Sequence, residues 1–305
     1  MSLIYICYSL LYLTDGGITE KKLKSRGLTK RTSCFVNTRY YDQFLVMYKS
    51  YLYYGNSNKF RVYDWDDLSS RKVSFLESIG VEVVKVNKGD WHDDLYRNKY
   101  CFKWKGLIES DIDQELLVDA DTLFLDNLDD ILNDFGDNDF IVVPEYYGSY
   151  RAGNLFNIGL MGYKKESRHY LEESVRNCKN KPHTTEMFEL CNLAEKINIK
   201  VKELPYMEYM PLWENHNLKK TITVENGKFV VNNGDGSRVR FYHFTTQIDP
   251  FKGSEILRFF ADHNTTARMW VKRFNNPVGL VYTHLNFAED FETVKETIEE
   301  WKLKK

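Results

Sequence analysis

Short apolar runs alternate with amphipathic segments along the first half of the chain. Runs rich in β-branched and aromatic residues predict strands at 33–38, 59–64, 81–86, 115–118 and 140–144. Segments with apolar positions at helical spacing predict helices at 41–54, 68–79, 95–109 and 128–135. Gly55 and Gly80 follow the first two of these segments, as expected for helix ends.

This alternation predicts an α/β fold in which helices flank a mostly parallel sheet. No repeat, low-complexity tract or proline-rich linker interrupts the chain, so we expect a single domain with C-terminal elaborations. Ligands of such sheets bind beyond the carboxyl ends of the strands. The residues that follow each predicted strand are therefore the first place to look for a functional site.

Composition narrows the class of protein. The chain has 305 residues, 43% of them hydrophobic and 28% charged, with 42 Lys and Arg against 44 Asp and Glu. That balance gives no attraction to a polyanion, so nucleic acid is not an expected partner. The apolar opening at 1–13 lacks a basic start and is too short to span a bilayer, which favours a buried strand over stable membrane insertion.

Cysteines and aromatic residues add two further expectations. The five cysteines are widely spaced and form no C-x-x-C pair, which favours a reducing, cytoplasmic location. Aromatic residues make up 15% of the chain. They either build the core and the sheet faces or form a cleft that stacks sugars or bases, and the sequence leaves both interpretations open.

Asp-x-Asp pairs occur at 64/66, 111/113, 119/121 and 137/139. Only the pair Asp119 and Asp121 directly follows an uninterrupted apolar run, at 116–118, and is followed after one residue by another, at 123–125. With the small Ala120 between them, the two carboxylates can hold a hard divalent cation such as Mg²⁺ or Mn²⁺. The alternative is that both acids cap the following loop. The other three pairs are expected to be structural or solvated.

Three blocks of sequence carry a resemblance to a known family. The block LLVDADTLFLDNL at 116–128 closely resembles the signature of glycogenin and its relatives in glycosyltransferase family eight. The block FNIGLM at 156–161 is similar to that family's Phe-Asn-Ser-Gly-Val strand. The block YHFTTQIDPF at 242–251 is similar to its closing His-Phe-x-Gly-x-x-Lys-Pro-Trp element, with His243, Phe244 and Pro250 aligned.

The resemblance implies a GT-A fold and transfer of a sugar, with a hexose expected, from a nucleotide-sugar donor such as a UDP-sugar, with retention of anomeric configuration. It implies Mn²⁺ (or Mg²⁺) bound by Asp119, Asp121 and His243, with 119–121 also contacting the nucleotide. It assigns Asn157 to the donor sugar, although composition alone allows a turn residue or a core amide. The acceptor would be a carbohydrate or a glycosylated molecule.

Other assignments rest on looser matches. Val36 and Asn37 at the end of the first strand, with Tyr41 shortly after it, occupy the place where related enzymes hold the base and ribose. Lys103 precedes the acidic strand and could reach phosphate, or could lie on a solvated helix face. The family's Asp-Gln pair has no clear counterpart, and Glu186 is the nearest acid.

The third block also departs from the family pattern. Thr246 replaces its glycine, and Asp249 replaces its lysine, which reverses the charge near the expected diphosphate. Lys252 is the candidate to supply the cationic contact instead. We divide the chain into an N-terminal extension at 1–31, a GT-A-like domain at 32–275 and a helical tail at 276–305.

Two other functions fit part of this pattern. A nucleotidyltransferase also uses a metal held at a strand end, but it usually has a glycine-rich basic loop after its first strand, and none follows residue 38 here. An inactive carbohydrate-binding protein would keep the aromatic residues and lose the metal ligands, whereas all three are present. The sequence thus favours a metal-dependent glycosyltransferase.

Overall fold

The structure is a computed structural model, and it describes residues 27–38, 40–86, 104–147, 150–180, 185–209, 221–226 and 228–243. The strands in these ranges are β1 (Lys30–Val36), β2 (Lys59–Asp64), β3 (Glu82–Lys85), β4 (Gln114–Val118), β5 (Thr122–Phe124), β6 (Phe140–Tyr147), β7 (Tyr150–Lys164), β8 (Val201–Glu203), β9 (Thr221–Glu225), β10 (Lys228–Asn232), β11 (Arg238–Val239) and β12 (Phe241–His243). The α-helices with both ends in these ranges are α1 (Tyr41–Tyr53), α2 (Ser70–Ser78), α3 (Arg168–Asn180), α4 (Glu186–Ile197) and α5 (Tyr206–Tyr209), and residues 104–108 are also helical.

Seven strands form the central sheet in the order β3-β2-β1-β4-β7-β6-β8. The pairs β3-β2, β2-β1, β1-β4 and β6-β8 are parallel, whereas β7 is antiparallel to both of its neighbours. The reversal follows from the length of the connection, because two residues separate β6 from β7, and a connection of that length joins only antiparallel strands. The predicted α/β class and mostly parallel sheet are confirmed.

The sheet separates two hydrophobic layers. Side chains alternate between the faces of a strand, so Leu116 and Val118 of β4 pack with α1 and α2 while Leu117 packs with α3 and α4. Both faces of β4 are therefore covered, which explains why its last three residues, 116–118, are all apolar. A small sheet in the order β11-β10-β9 and the pair β5-β12 complete this single α/β domain.

Three predicted elements differ in extent. The first strand begins at Lys30, before the predicted 33, and the strand predicted at 140–144 continues to Tyr147. In the predicted helix at 95–109, residues 104–108 are helical, and the part before 104 lies outside the described residues. Among the described helices, none is long and apolar enough to cross a membrane.

The short helix predicted near 128–135 is a single 3-10 turn, Ile131–Asn133, rather than an α-helix of that length. Side chains before it fix a local turn, which competes with helix formation. Asn127 Oδ1 accepts a hydrogen bond from the Asp129 amide at 2.9 Å, and Asp129 Oδ2 accepts one from the Ser57 amide at 2.7 Å.

Strand β7 is irregular where it passes the end of β4. Phe156 and Ile158 pack on the side of α3 and α4, but Leu160 packs on the opposite side. In a regular strand these residues would share one face, so the strand changes parity between 158 and 160. The pairing with β6 shifts at the same place, between Val142 and Val143.

Candidate metal centre

The acidic turn lies at the carboxyl end of β4, in the middle of the sheet. The Asp119 amide donates to the carbonyl of Gly159 on β7 at 3.0 Å. The Thr122 hydroxyl donates to the Asp119 carbonyl at 2.7 Å and closes the turn. Ala120 is buried, whereas the side chains of Asp119 and Asp121 on either side of it are partly exposed, at 30% and 19%.

His243 reaches this turn through the pairing of β12 with β5. The two strands are antiparallel, and His243 lies opposite Thr122, directly beside the acidic turn. Its Nε2 atom lies 3.6 Å from Asp119 Oδ2 and 3.3 Å from Asp121 Oδ1. Within the described ranges, these three residues are the one group of acids, histidines or cysteines close enough to share an ion.

The donor set suits a divalent cation. Each of the three residues offers one ligand atom, and these atoms lie within 4.8 Å of one another. Atoms that bind one ion at about 2.0–2.2 Å are separated from each other by roughly 3–3.5 Å, close to the separations of 3.3 and 3.6 Å between the histidine nitrogen and the two carboxylates. Two carboxylates and an imidazole are ligands for Mn²⁺, Mg²⁺ or Zn²⁺.

The charge of the site is strongly negative around the imidazole. Burial of the ring lowers the pKa of His243, but the carboxylates of Asp121, Asp119 and Glu145 outweigh burial and raise it above its ordinary value. A ring surrounded by three acids is in an environment that attracts a positive charge, either a proton or a metal ion.

Gly159 forms the floor beneath the imidazole. A Cβ atom added there would lie 2.4 Å from His243 Nδ1 and 2.9 Å from Asn157 Oδ1. The Asn157 Oδ1 atom in turn accepts a hydrogen bond from the Gly159 amide at 2.7 Å. The second sequence block therefore lies against the third, and the absence of a side chain at Gly159 leaves room for the histidine.

Glu145 is a neighbour of the site that the sequence patterns did not predict. Its Oε2 accepts a hydrogen bond from Asn157 Nδ2 at 2.6 Å. Burial raises the pKa of Glu145, although the hydrogen bond from Asn157 and the charge of His243 act in the opposite direction. It lies at a register shift of β6 between Pro144 and Tyr146. The rule that selected the acidic turn would have found it, because Glu145 directly follows the strand predicted at 140–144.

Glu186 lies in the first turn of α4 and is 2% exposed. Thr185 caps this helix by accepting a hydrogen bond from the Phe188 amide at 3.4 Å. The helix packs against β7, where Leu190 and Phe156 belong to one hydrophobic cluster. The catalytic role of Glu186 stays a prediction, as does that of Asn157.

Val36, Asn37 and Tyr41 lie at the carboxyl end of β1, next to β4. Asn37 Oδ1 accepts a hydrogen bond from the Tyr40 amide at 3.0 Å, so its side chain stabilises the turn into α1. Val36 and Tyr41 are 0% exposed and belong to the core. Their assignment to the nucleotide stays a prediction, and contact with the Val36 side chain or the Tyr41 ring would require the core to open.

Some predicted residues cannot be compared with the structure. Lys103 and Lys252 lie outside the described residues, and so do Thr246 and Asp249. The three other Asp-x-Asp pairs have structural contacts that agree with the expectation for them. The partners are the amides of Asp67 and Leu68 for Asp64, Arg61 for Asp111, Thr29 for Asp113, and the amide of Lys200 for Asp139.

No protein-family model matches the chain, and no curated protein sequence matches it. Several solved structures, in contrast, match the chain. An active-site mutant of LgtC is 16% identical with a TM-score of 0.56 over 86% of this chain and 99% of LgtC. The galactosyltransferase LgtC in complex with donor and acceptor sugar analogs matches over the same shares with a TM-score of 0.55. The apo form of the glycosyltransferase GlyE of Streptococcus pneumoniae TIGR4 is 12% identical with a TM-score of 0.50 over 90% of this chain and 64% of GlyE.

These similarities define the fold. The chain has a GT-A-like α/β fold, with the mixed seven-stranded sheet and flanking helices described above. Because the sequences are at most 16% identical, this similarity supports the architecture alone. The chemistry has to be inferred from the residues of the site.

Proposed function

We propose that this protein is a glycosyltransferase that transfers a sugar from a nucleotide-sugar donor and requires a divalent cation. The observation that carries the proposal is the group formed by Asp119, Asp121 and His243 at the carboxyl end of β4 in a GT-A-like sheet. His243 is more than 120 positions away from both acids, so this group forms only through the tertiary fold. The other Asp-x-Asp pairs make structural contacts instead.

The three side chains would hold the cation. When bound there, it would neutralise the diphosphate of the donor and so make the nucleotide a better leaving group. Asp119 and Asp121 would supply the negative charge that retains the ion, and His243 would complete the set from the opposite strand. The resemblance to family eight motivates Mn²⁺ as the ion, a UDP-hexose as the donor and retention of anomeric configuration.

Asn157 would contact the donor sugar. Its two described hydrogen bonds, to Glu145 and from the Gly159 amide, use one amide hydrogen and one oxygen lone pair. A primary amide has a second of each, which suits recognition of a sugar hydroxyl. Glu186, Val36, Asn37 and Tyr41 remain candidate contacts, as do Lys103 and Lys252, and the acceptor would be a carbohydrate or a glycosylated molecule.

A donor screen tests the proposal without knowledge of the acceptor. UDP-, GDP- and CMP-sugars are incubated with the protein and Mn²⁺, and the release of nucleotide and free sugar is measured. We expect one nucleotide class to be hydrolysed slowly by the wild type, and release to stop in excess EDTA and in Asp121→Asn. Asp66→Asn is the matched control, because Asp66 is exposed and its positive φ of 57° is tolerated by Asn.

Each outcome has a distinct meaning. Release that persists at full rate in EDTA and in Asp121→Asn would refute the metal-dependent assignment. Production of sugar 1-phosphate together with UMP or GMP from the UDP- or GDP-sugars would indicate attack at phosphorus, as in nucleotidyl transfer, instead. Binding of sugars without release of any nucleotide would indicate an inactive carbohydrate-binding protein.

A further inference from the structure

The strand that carries His243 has little backbone pairing of its own. β12 has three residues and pairs with a strand, β5, that also has three. Two neighbouring backbone hydrogen bonds extend this contact through Arg240, whose carbonyl accepts from the Leu125 amide at 2.9 Å and whose amide donates to the Glu208 carbonyl at 2.7 Å. An antiparallel pair of this length is marginal in isolation.

The side chain of Arg240 adds a dense set of contacts at the start of β12. Nη1 lies 3.1 Å from Asp130 Oδ2 and donates to the Tyr209 hydroxyl at 2.6 Å. Nη2 donates to Asp130 Oδ1 at 2.8 Å and to the Asn127 carbonyl at 2.6 Å. Nε lies 3.4 Å from Asp126 Oδ2. The planar guanidinium thus binds one carboxylate with both terminal nitrogens, a geometry that Lys cannot reproduce.

These partners lie on the two segments next to the site. The loop at 126–130 directly follows β5, and Asp121 directly precedes that strand. Tyr209 lies on α5 and is 3% exposed, and the Arg240 side chain is 19% exposed. The Asp130 side chain is 63% exposed, so solvent screens part of the ion pair, and the strength of the set comes from its bidentate geometry and from the less exposed contacts of Arg240 with the Tyr209 hydroxyl and the Asn127 carbonyl. Arg240 therefore fixes β12 against the segment that carries the acidic ligands.

We propose that Arg240 is a positioning residue of the metal centre, which holds β12 in the register that places His243 between Asp119 and Asp121. This inference rests on the proposed function only in that the three residues bind a cation. Asp130, which accepts two of the contacts, would share the role. Loss of the clamp would leave all three ligands in the sequence but would let the histidine move away from the two acids.

Arg238 provides a matched control. It lies near Arg240 in the chain, on β11, and it also pairs with Asp126, at 3.3 Å. Its side chain is 40% exposed, and Asp126 is the one ion-pair partner that the described part of the chain gives it. The change Arg238→Lys therefore perturbs a neighbouring ion pair with Asp126 without removing the contacts of Arg240 with Asp130.

The experiment compares Arg240→Lys, Asp130→Asn and Arg238→Lys in the full chain. Mn²⁺ binding is measured by isothermal titration calorimetry, and amide hydrogen exchange of the peptide that contains β12 is measured without metal. We expect Arg240→Lys and Asp130→Asn to raise the Mn²⁺ dissociation constant about tenfold or more and to speed exchange of β12. Arg238→Lys should change neither quantity more than about twofold. In turnover assays, excess Mn²⁺ should restore activity to Arg240→Lys but not to Asp121→Asn.

The results separate this inference from the proposed function. An unchanged Mn²⁺ dissociation constant in folded Arg240→Lys would overturn it, and so would an equal loss in Arg238→Lys. A merely structural role would lower the folded fraction and the maximal rate without shifting the Mn²⁺ concentration needed for half-maximal turnover. A wild type that binds neither Mn²⁺ nor Mg²⁺ would refute the proposed function, and the exchange of β12 would still decide whether Arg240 holds the strand.

Discussion

The imidazole of His243 lies directly over Gly159, so closely that an added Cβ atom would come within 2.4 Å of Nδ1 and 2.5 Å of Cε1. Such distances are far inside van der Waals contact, and the ring has little room to retreat because its side chain is 9% exposed. The glycine of the second sequence block and the histidine of the third are therefore complementary in shape.

Gly159→Ala should consequently displace His243 from the two carboxylates. We expect the Mn²⁺ dissociation constant, measured by calorimetry, to rise about tenfold or more. Gly162→Ala is the control on the same strand, where the added Cβ would meet Phe135 at 3.2 Å and Ile141 at 3.3 Å, away from the site. That variant should lose stability and keep its metal affinity. Equal metal affinity in both variants would show that the histidine adapts to the added methyl group.

Removal of a carboxylate should abolish metal-dependent turnover and leave the fold intact. For Asp119→Asn and Asp121→Asn we expect turnover to fall about 100-fold or more, with a circular dichroism spectrum and melting temperature close to those of the wild type. His243→Ala should weaken metal and nucleotide binding together. The controls are Asp66→Asn and Asp137→Asn, both in pairs assigned to structure or solvent. A comparable loss in either control would mean that the acidic turn was chosen wrongly.

A buried lysine makes the stability of the fold depend on pH. Lys49 of α1 is 0% exposed, and burial lowers its pKa from 10.5 to about 7. Between these two values the unfolded chain binds the proton and the folded chain releases it, so the free energy of unfolding rises with pH by up to about 1.4 kcal/mol per pH unit. Denaturant titrations at pH 7 and pH 9 measure this slope.

Lys49→Met isolates the contribution of that lysine. The variant keeps an apolar chain of similar length and has no proton to lose, so its stability should exceed that of the wild type most at pH 7 and converge with it towards pH 9. Parallel pH profiles for the two proteins would mean that Lys49 keeps its proton through a partner in the fold.

Local patterns predicted most of the strands and helices in the first half of the chain, and the acidic half of the site. The apolar runs identified β1, β2, β3, β4 and β6. A strand that is covered on both faces has apolar side chains at successive positions, and such a run is visible in the sequence. The position of Asp119 after β4 followed from the same pattern. The end of a strand is marked by the residues next to it, so it can be identified from the sequence.

Contacts between distant segments were not predictable in this way. Arg240 pairs with Asp130 across 110 positions, and no periodicity or spacing marks that pair. The parity change of β7 near Gly159 is visible only when the two faces of the sheet are known. His243 was found by resemblance to a family block, since one histidine carries no local signal.

The hydrogen bond between Asn157 and Glu145 gives a final prediction, in which Asn157→Asp makes stability depend on pH. The substitution would place two carboxyl groups where Nδ2 and Oε2 are now 2.6 Å apart. Because burial already raises the pKa of Glu145, the pair should hold a shared proton, and the pKa of that proton should lie above the values of both acids in the unfolded chain. The stabilising proton is present at low pH and is lost as the pH rises through the raised pKa. The variant should therefore be closest to the wild type in stability near pH 4 and fall behind it towards pH 7, by up to about 1.4 kcal/mol for each pH unit.

Asn154→Asp is the matched control on the same strand, since Asn154 donates to Glu195 at an exposed position, where solvent screens the two charges and no comparable pH dependence is expected. Unfolding free energies of the three proteins across pH 4–7 measure the effect, and equal profiles for both variants would show that water, rather than the buried site, surrounds Glu145.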